Sequence, residues 1–165
     1  KRKSVYIINV SQDGAEFVEK QIPNSGINHP SQVARTEKGV VWANDSGCYL
    51  LKEDTPINLV EGKIATDGFD GGVYSRGWDV SSNHIPAVTY LASKKQLYIV
   101  YSLRGVDGVN DEQGGMQSND AWIYDFKTEG WTFSGGTIGN YLRRRSNIIV
   151  RNDSIPTFLE YDATS

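Results

Sequence analysis

The feature that most constrains this chain is that it repeats itself. Laid without a gap, Val5 to Phe17 (VYIINVSQDGAEF) matches Ala121 to Phe133 (AWIYDFKTEGWTF). Apolar residues coincide at Tyr6 with Trp122, Ile8 with Tyr124, Val10 with Phe126, Ala15 with Trp131 and Phe17 with Phe133, and Gly14 falls on Gly130. A third copy, Cys48 to Leu59 (CYLLKEDTPINL), has the same form with a turn one residue shorter. Each copy alternates apolar and polar residues around a polar turn, the period of two that sends every second side chain to one face of a sheet. Repetition of this kind implies stacked units, because one hairpin cannot bury its apolar face alone.

A second type of hairpin is interleaved with the first. Gln32 to Asn44 turns at Glu37-Lys38-Gly39, Val88 to Ser102 turns at Lys94-Lys95, and Ile148 to Asp162 turns at Asn152-Asp153-Ser154. With these as strands a and b and the first type as c and d, the chain reads c-d, a-b-c-d, a-b-c-d, a-b. The expected fold is therefore all-β and β-propeller-like, with two full four-stranded antiparallel blades flanked by half blades. The expected divisions are strands c-d of a preceding blade in 1–30, a full blade in 31–62, an insertion loop in 63–84, a full blade in 85–136 with a long 103–120 loop, and strands a-b of a following blade in 137–165.

The repeat distances, 55 residues from Val33 to Val88 and 60 from Val88 to Ile148, exceed the roughly 40 to 50 of common propeller repeats. The surplus is expected in the glycine- and aspartate-rich stretches 62–83 and 103–120. A β-sandwich holding two similar hairpins is the competing arrangement, since short alternating strands also build sandwiches. An arc of this size leaves sheet edges open. Completion is expected from a longer parent polypeptide, the favoured reading, or from other copies, two of which would pair leading c-d with trailing a-b to make six blades.

Composition agrees with a sheet-rich chain: seventeen glycines, five prolines and one methionine in 165 residues favour short strands joined by tight turns. Twenty acidic against seventeen basic residues give a net charge of -3. That balance implies no dominant nucleic-acid surface and no polybasic membrane face. No apolar run approaches the roughly 20 residues of a membrane-spanning helix, so no membrane insertion is expected. Cys48 is the sole cysteine, which excludes an internal disulfide or a cysteine-based zinc site; beside Tyr49, Leu50 and Leu51 it reads as a small buried hydrophobe.

Candidate functional residues are few. Trp78 and Tyr74, on a loop, are candidates for contact with a partner or a sugar ring. Arg143, Arg144 and Arg145 carry the charge to clamp a carboxylate or phosphate, but adjacent residues on a strand alternate faces, which favours a solvated loop or an assembly contact. Asp107, Asn110 and Asp111, with Glu112 beside them, offer the hard oxygen ligands calcium takes, at a spacing unlike the helix-flanked calcium loop; Asp67 and Asp70 are weaker still. His29 and His84 each stand just ahead of a strand a and read as turn residues. Asn44-Asp45-Ser46 and Asn152-Asp153-Ser154 fit the glycosylation tripeptide, yet both lie where a hairpin must turn. No nucleophile elbow or phosphate-binding glycine loop is present, so neither catalysis nor a cofactor is expected.

The run Trp122-Ile123-Tyr124-Asp125-Phe126-Lys127-Thr128-Glu129-Gly130-Trp131 is similar to the turn hairpin of kelch-type propellers, in which aspartate and threonine close the turn while aromatics pack between blades. The diglycine usual after strand b is replaced by Ile99-Val100-Tyr101. Together, GVVWANDSGCYLL, PAVTYLASKKQLYIVYS and WIYDFKTEGWTF resemble blades of the propeller domains of bacteriophage tail structural proteins of the nozzle type. The resemblance spans most of residues 31–162 and rests on aromatic and turn patterning. It implies a virion component acting through contacts with other copies or other tail proteins, with no cofactor. An extracellular carbohydrate-binding or glycan-processing propeller is the alternative from another class, and a cellular kelch-like scaffold is a third.

Overall fold

The structure is a computed structural model that describes residues 4–11, 14–64, 77–78, 84–103, 121–134, 145–150 and 156–160; for 84–85, 101–103, 145–150 and 156–160 it describes the backbone alone. The described residues form β1 (Ser4–Asn9), β2 (Phe17–Pro23), β3 (Val33–Thr36), β4 (Gly39–Asn44), β5 (Gly47–Lys52), β6 (Thr55–Asn58), β7 (His84–Leu91), β8 (Gln96–Leu103), β9 (Ala121–Asp125), β10 (Gly130–Ser134), β11 (Arg145–Val150) and β12 (Pro156–Glu160). One short 3-10 turn, Pro30–Gln32, leads into β3. The chain is all-β. Strands β3 to β6 form one four-stranded antiparallel sheet in chain order, β7 to β10 form a second, and β1–β2 and β11–β12 are two-stranded hairpins.

The two four-stranded sheets share one register. Val33, Trp42, Tyr49 and Asn58 stand side by side across the first, and Val88, Ile99, Trp122 and Phe133 across the second. They differ in strand length and in how the strands are joined. Thr36 and Gly39 flank a two-residue turn, whereas Leu91 and Gln96 flank a four-residue one. Lys52 and Thr55 likewise flank two residues, and Asp125 and Gly130 flank four. Both longer turns end on a residue with positive φ, Lys95 at 57° and Glu129 at 54°, the left-handed step that lets the strand re-enter in register.

Two turns of the first sheet, β3–β4 and β4–β5, depend on glycine. Gly39 has φ 138°, and a Cβ there would collide with the Leu51 carbonyl oxygen on the neighbouring strand. Gly47 has φ 151° and faces Asn58, whose side-chain oxygen would lie 2.6 Å from a Cβ. Neither position accepts a side chain without a shift of backbone or of Asn58.

Hairpin β1–β2 departs from the gapless match to β9–β10. Asn9 pairs with Phe17 and Ile8 with Val18, while Asp125 pairs with Gly130 and Tyr124 with Trp131. Ala15 therefore lies in the connection and is not equivalent to Trp131, nor is Phe17 equivalent to Phe133. Local hydrogen bonds sit at the start of both connections. Asp125 Oδ1 accepts from the Lys127 and Thr128 amides and closes the turn at once, and Asn9 Oδ1 accepts from the amide and hydroxyl of Ser11. The β5–β6 turn is two residues shorter than that of β9–β10, where the sequence match implied one.

The core lies between the two four-stranded sheets. Val41, Ala43, Cys48 and Leu50 of the first meet Val88, Leu97, Ile99, Trp122 and Tyr124 of the second, with Leu59, Val60, Ile64 and Trp78 joining from connections. The filling is graded. Along the first-strand edge the backbones come together, β7 lying beside β3, β4 and β11, and the residues there are small: Ala34, Ala43 and Val88. Toward the outer strands the space is taken by Trp122, Trp131 and Phe133. Their rings pack edge to face, Trp122 with Phe133 at 4.9 Å and Trp122 with Trp131 at 6.2 Å, the geometry the ring quadrupoles favour.

Candidate interaction surface

Polar ties repeat from one unit to the next. Lys20 of β2 donates to the Asp54 carbonyl in the β5–β6 turn at 2.7 Å, and Lys63, just past β6, donates to the Glu129 carbonyl in the β9–β10 turn at 2.8 Å. In both cases a lysine from one unit reaches the outer turn of the following unit. Lys63 also sits 5.6 Å above the Tyr124 ring. Trp131 Nε1 donates to the Leu59 carbonyl at 2.8 Å, and Trp42 Nε1 donates to the Ser25 carbonyl. Near the first strands, Lys95 and Glu37 form an ion pair at 2.7 Å between exposed turns. The same contact holds the Lys95 ammonium above its ordinary pKa.

The structure removes one candidate from the surface. Trp78 is only 2% exposed, its indole nitrogen donates to the Asn44 carbonyl at 2.9 Å, and its ring meets Trp131 at 5.8 Å. A sugar or partner cannot stack on it without opening the core. Asn44 is also buried: its Oδ1 accepts from the Ser46 amide and its Nδ2 donates to the Gly26 carbonyl. The first glycosylation tripeptide is thus consumed by turn formation, as turn chemistry required.

Cys48 is fully buried, and burial pushes its thiol far above the ordinary range. It is a core residue and not a nucleophile. His29 is the cap of the 3-10 turn, with Nδ1 2.8 Å from Ser31 Oγ, and Gln32 locks the same turn by accepting the Asn28 and His29 amides and donating to the Ala43 carbonyl. His84 is the first residue of β7. Asp125 has its carboxyl held below the usual value, first by the Gln96 amide and then by the Lys127 backbone amide, which fits a turn-closing role.

Tyr74, Arg143, Arg144, Asp67, Asp70, Asp107, Asn110, Asp111, Glu112 and the Asn152 tripeptide lie outside the described residues. Arg145 opens β11, where its backbone faces Glu160. Among the described residues no group of three or more His, Cys, Asp or Glu side chains could hold a metal ion. No helix among them is long and apolar enough to cross a membrane.

The surface that sequence reasoning missed is on β1–β2. Tyr6, Ile8 and Val18 are 38%, 54% and 57% exposed, and the Ile8–Val18 pairing places two of them side by side. Val5, Ile7 and Asn9, which alternate with them, are half-buried, and Ile22 on β2 is buried. One face of the hairpin therefore turns toward the protein while an apolar face turns away. The alternation is legible in the sequence, but period alone does not say which apolar face a neighbouring sheet covers. A scan against protein-family models, a search of curated proteins and a search of solved structures each gave no match.

Proposed function

We propose that this chain is an arc of a β-propeller that serves as a structural part of a bacteriophage tail, acting through protein–protein contacts. The observation that carries the architecture is the graded seam between register-matched sheets. They close together at the first strands and spread apart over Trp122, Trp131 and Phe133, which is how sheets radiating from a common axis must pack, and not how the two layers of an aligned sandwich keep an even spacing. Separation of β1–β2 and β9–β10 into different sheets supports the same reading. The assignment to a tail rests on the resemblance of the blade sequences. The lysine ties, the buried thiol and the buried Trp78 all serve packing, which favours a scaffold over a catalyst or lectin.

Two measurements test this. A crystal structure or cryo-EM map is expected to show β3, β7 and β11 lining one axis; two flat layers of even spacing would overturn the propeller. Mass spectrometry of purified phage particles is expected to recover peptides of the chain in proportion to known tail proteins. Recovery from lysate but not from particles would sink the virion reading, and specific binding on a glycan array would favour the carbohydrate alternative.

A further inference from the structure

We infer that His29, Ser31 and the Pro86 carbonyl form a proton-controlled clasp between the turn that enters the first sheet and the first strand of the second. Uptake of a proton by His29 moves the Ser31 hydroxyl from the histidine to Pro86. Three contacts meet at Ser31. Its amide donates to His29 Nδ1 at 3.2 Å, its hydroxyl lies 2.8 Å from the same nitrogen, and that hydroxyl also reaches the Pro86 carbonyl of β7 at 3.2 Å, 55 residues along the chain. The hydrogens cannot serve all three at once. A hydroxyl has one hydrogen to give, and an imidazole nitrogen either accepts or donates. With Nδ1 accepting from the Ser31 amide, the short contact uses the hydroxyl hydrogen and leaves none for Pro86. With a hydrogen on Nδ1, the ring donates to Ser31 Oγ, the hydroxyl turns to Pro86, and the amide loses its acceptor.

The neutral ring takes the first arrangement, with its hydrogen on Nε2, because an amide left without an acceptor is rarer in folded proteins than a carbonyl short of a donor. The imidazolium has a hydrogen on both nitrogens and enforces the second. One proton enters from water and only the Ser31 hydroxyl changes partner. The backbone of the turn is pinned independently of the ring: Gln32 accepts from the Asn28 and His29 amides and donates to the Ala43 carbonyl, each at 2.8 Å. Histidine is the side chain that ordinarily exchanges its proton between about pH 5 and 8. The turn packs against β4, β7 and β11. Strand β4 carries no titratable side chain, β7 carries His84 and Tyr90, and β11 carries Arg145; the connection 24–32 holds no titratable residue besides His29. Tyr90 belongs to the other end of its strand, where Glu37 and Lys95 act on it, so His84 is the residue the test must separate from His29.

Nitrogen-15 and carbon-13 NMR of the labelled chain, titrated from about pH 8 to about pH 5, is the experiment. The neutral His29 ring is expected to carry its hydrogen on Nε2. As the ring takes up a proton, the Ser31 amide should lose about two- to tenfold of its protection against hydrogen exchange, the worth of one hydrogen bond, while the Pro86 carbonyl carbon shifts in step with the ring. Ser31→Ala should remove the Pro86 shift and keep the His29 titration, His29→Gln should remove both responses, and His84→Gln should leave both in place. A neutral ring with its hydrogen on Nδ1, a Pro86 carbonyl that ignores the His29 titration or still follows it in Ser31→Ala, or responses that vanish with His84→Gln would each overturn the clasp. The exchange needs only the contact between this turn and β7, so its failure leaves the propeller reading standing.

Discussion

Hairpins β1–β2 and β9–β10 share a sequence pattern and have opposite fates. Trp122 and Tyr124 of β9 are sealed beneath the neighbouring sheet, whereas Tyr6 and Ile8 of β1 face solvent. The pattern of alternating apolar residues specifies that a strand has two faces, not which neighbour covers each. Burial is conferred by the adjacent sheet. Stability at equivalent positions should therefore differ by the contribution of that cover.

The largest expected effect lies on the covered side. Trp131→Ala removes a ring that touches Trp78, Trp122 and Tyr124 and leaves the Leu59 carbonyl without its donor; urea unfolding should show a loss of about 3–5 kcal/mol. Ile8→Ala, on the uncovered hairpin, should cost under about 1 kcal/mol in the monomer, and equal losses at the two sites would break the comparison.

Gly39→Ala comes next, at about 1–3 kcal/mol, because its φ and the Leu51 carbonyl leave no room for a Cβ. The corresponding residue of the second sheet is Gln96, whose longer turn imposes no such need. Gln96→Ala should then act mainly through the Asp125 hydrogen bond, and a loss matching that of Gly39→Ala would refute the distinction.

Cys48 gives a pH test of the same seam. Its pKa is raised by burial from the ordinary thiol value of 9.0, so the unfolded chain releases its proton first and stability falls as pH rises above that value. Tyr49 and Tyr124, raised chiefly by burial, add to the fall in the same direction. Thermal melts should drop from neutral pH toward alkaline pH, and a thiol reagent at neutral pH should label Cys48 only once the seam opens. Rapid labelling of the folded chain would contradict it.

The smallest effect is expected at Lys95 and Glu37. Both side chains are about half exposed, and water screens such pairs. Lys95→Ala should barely move the melting temperature, and that small shift should vanish in high salt.

Much of the strand order was legible because alternation and turn residues are local properties. The registers that align Val33 with Val88 and Tyr49 with Trp122 follow from them. What escaped the sequence depended on partners distant along the chain. Trp78 sits in a glycine-rich stretch that looks like solvent-exposed loop, and only the Asn44 carbonyl, 34 residues away, shows that its indole is anchored inside. The β1–β2 register depends on the length of the connection between Asn9 and Phe17, which a gapless sequence match does not decide. The exposed face of β1–β2 escaped for the same reason as its burial elsewhere: an apolar strand carries no mark of which sheet will cover it.

The joint between the second and third strands has a further meaning. Ala43 and Cys48 face each other across four residues, Val100 and Ala121 across twenty, yet the rows on either side are in the same register. Length at this corner is decoupled from the architecture that it connects. The β8–β9 corner carries its extra length without a change of register, so it is the corner where a reporter or an epitope would be grafted.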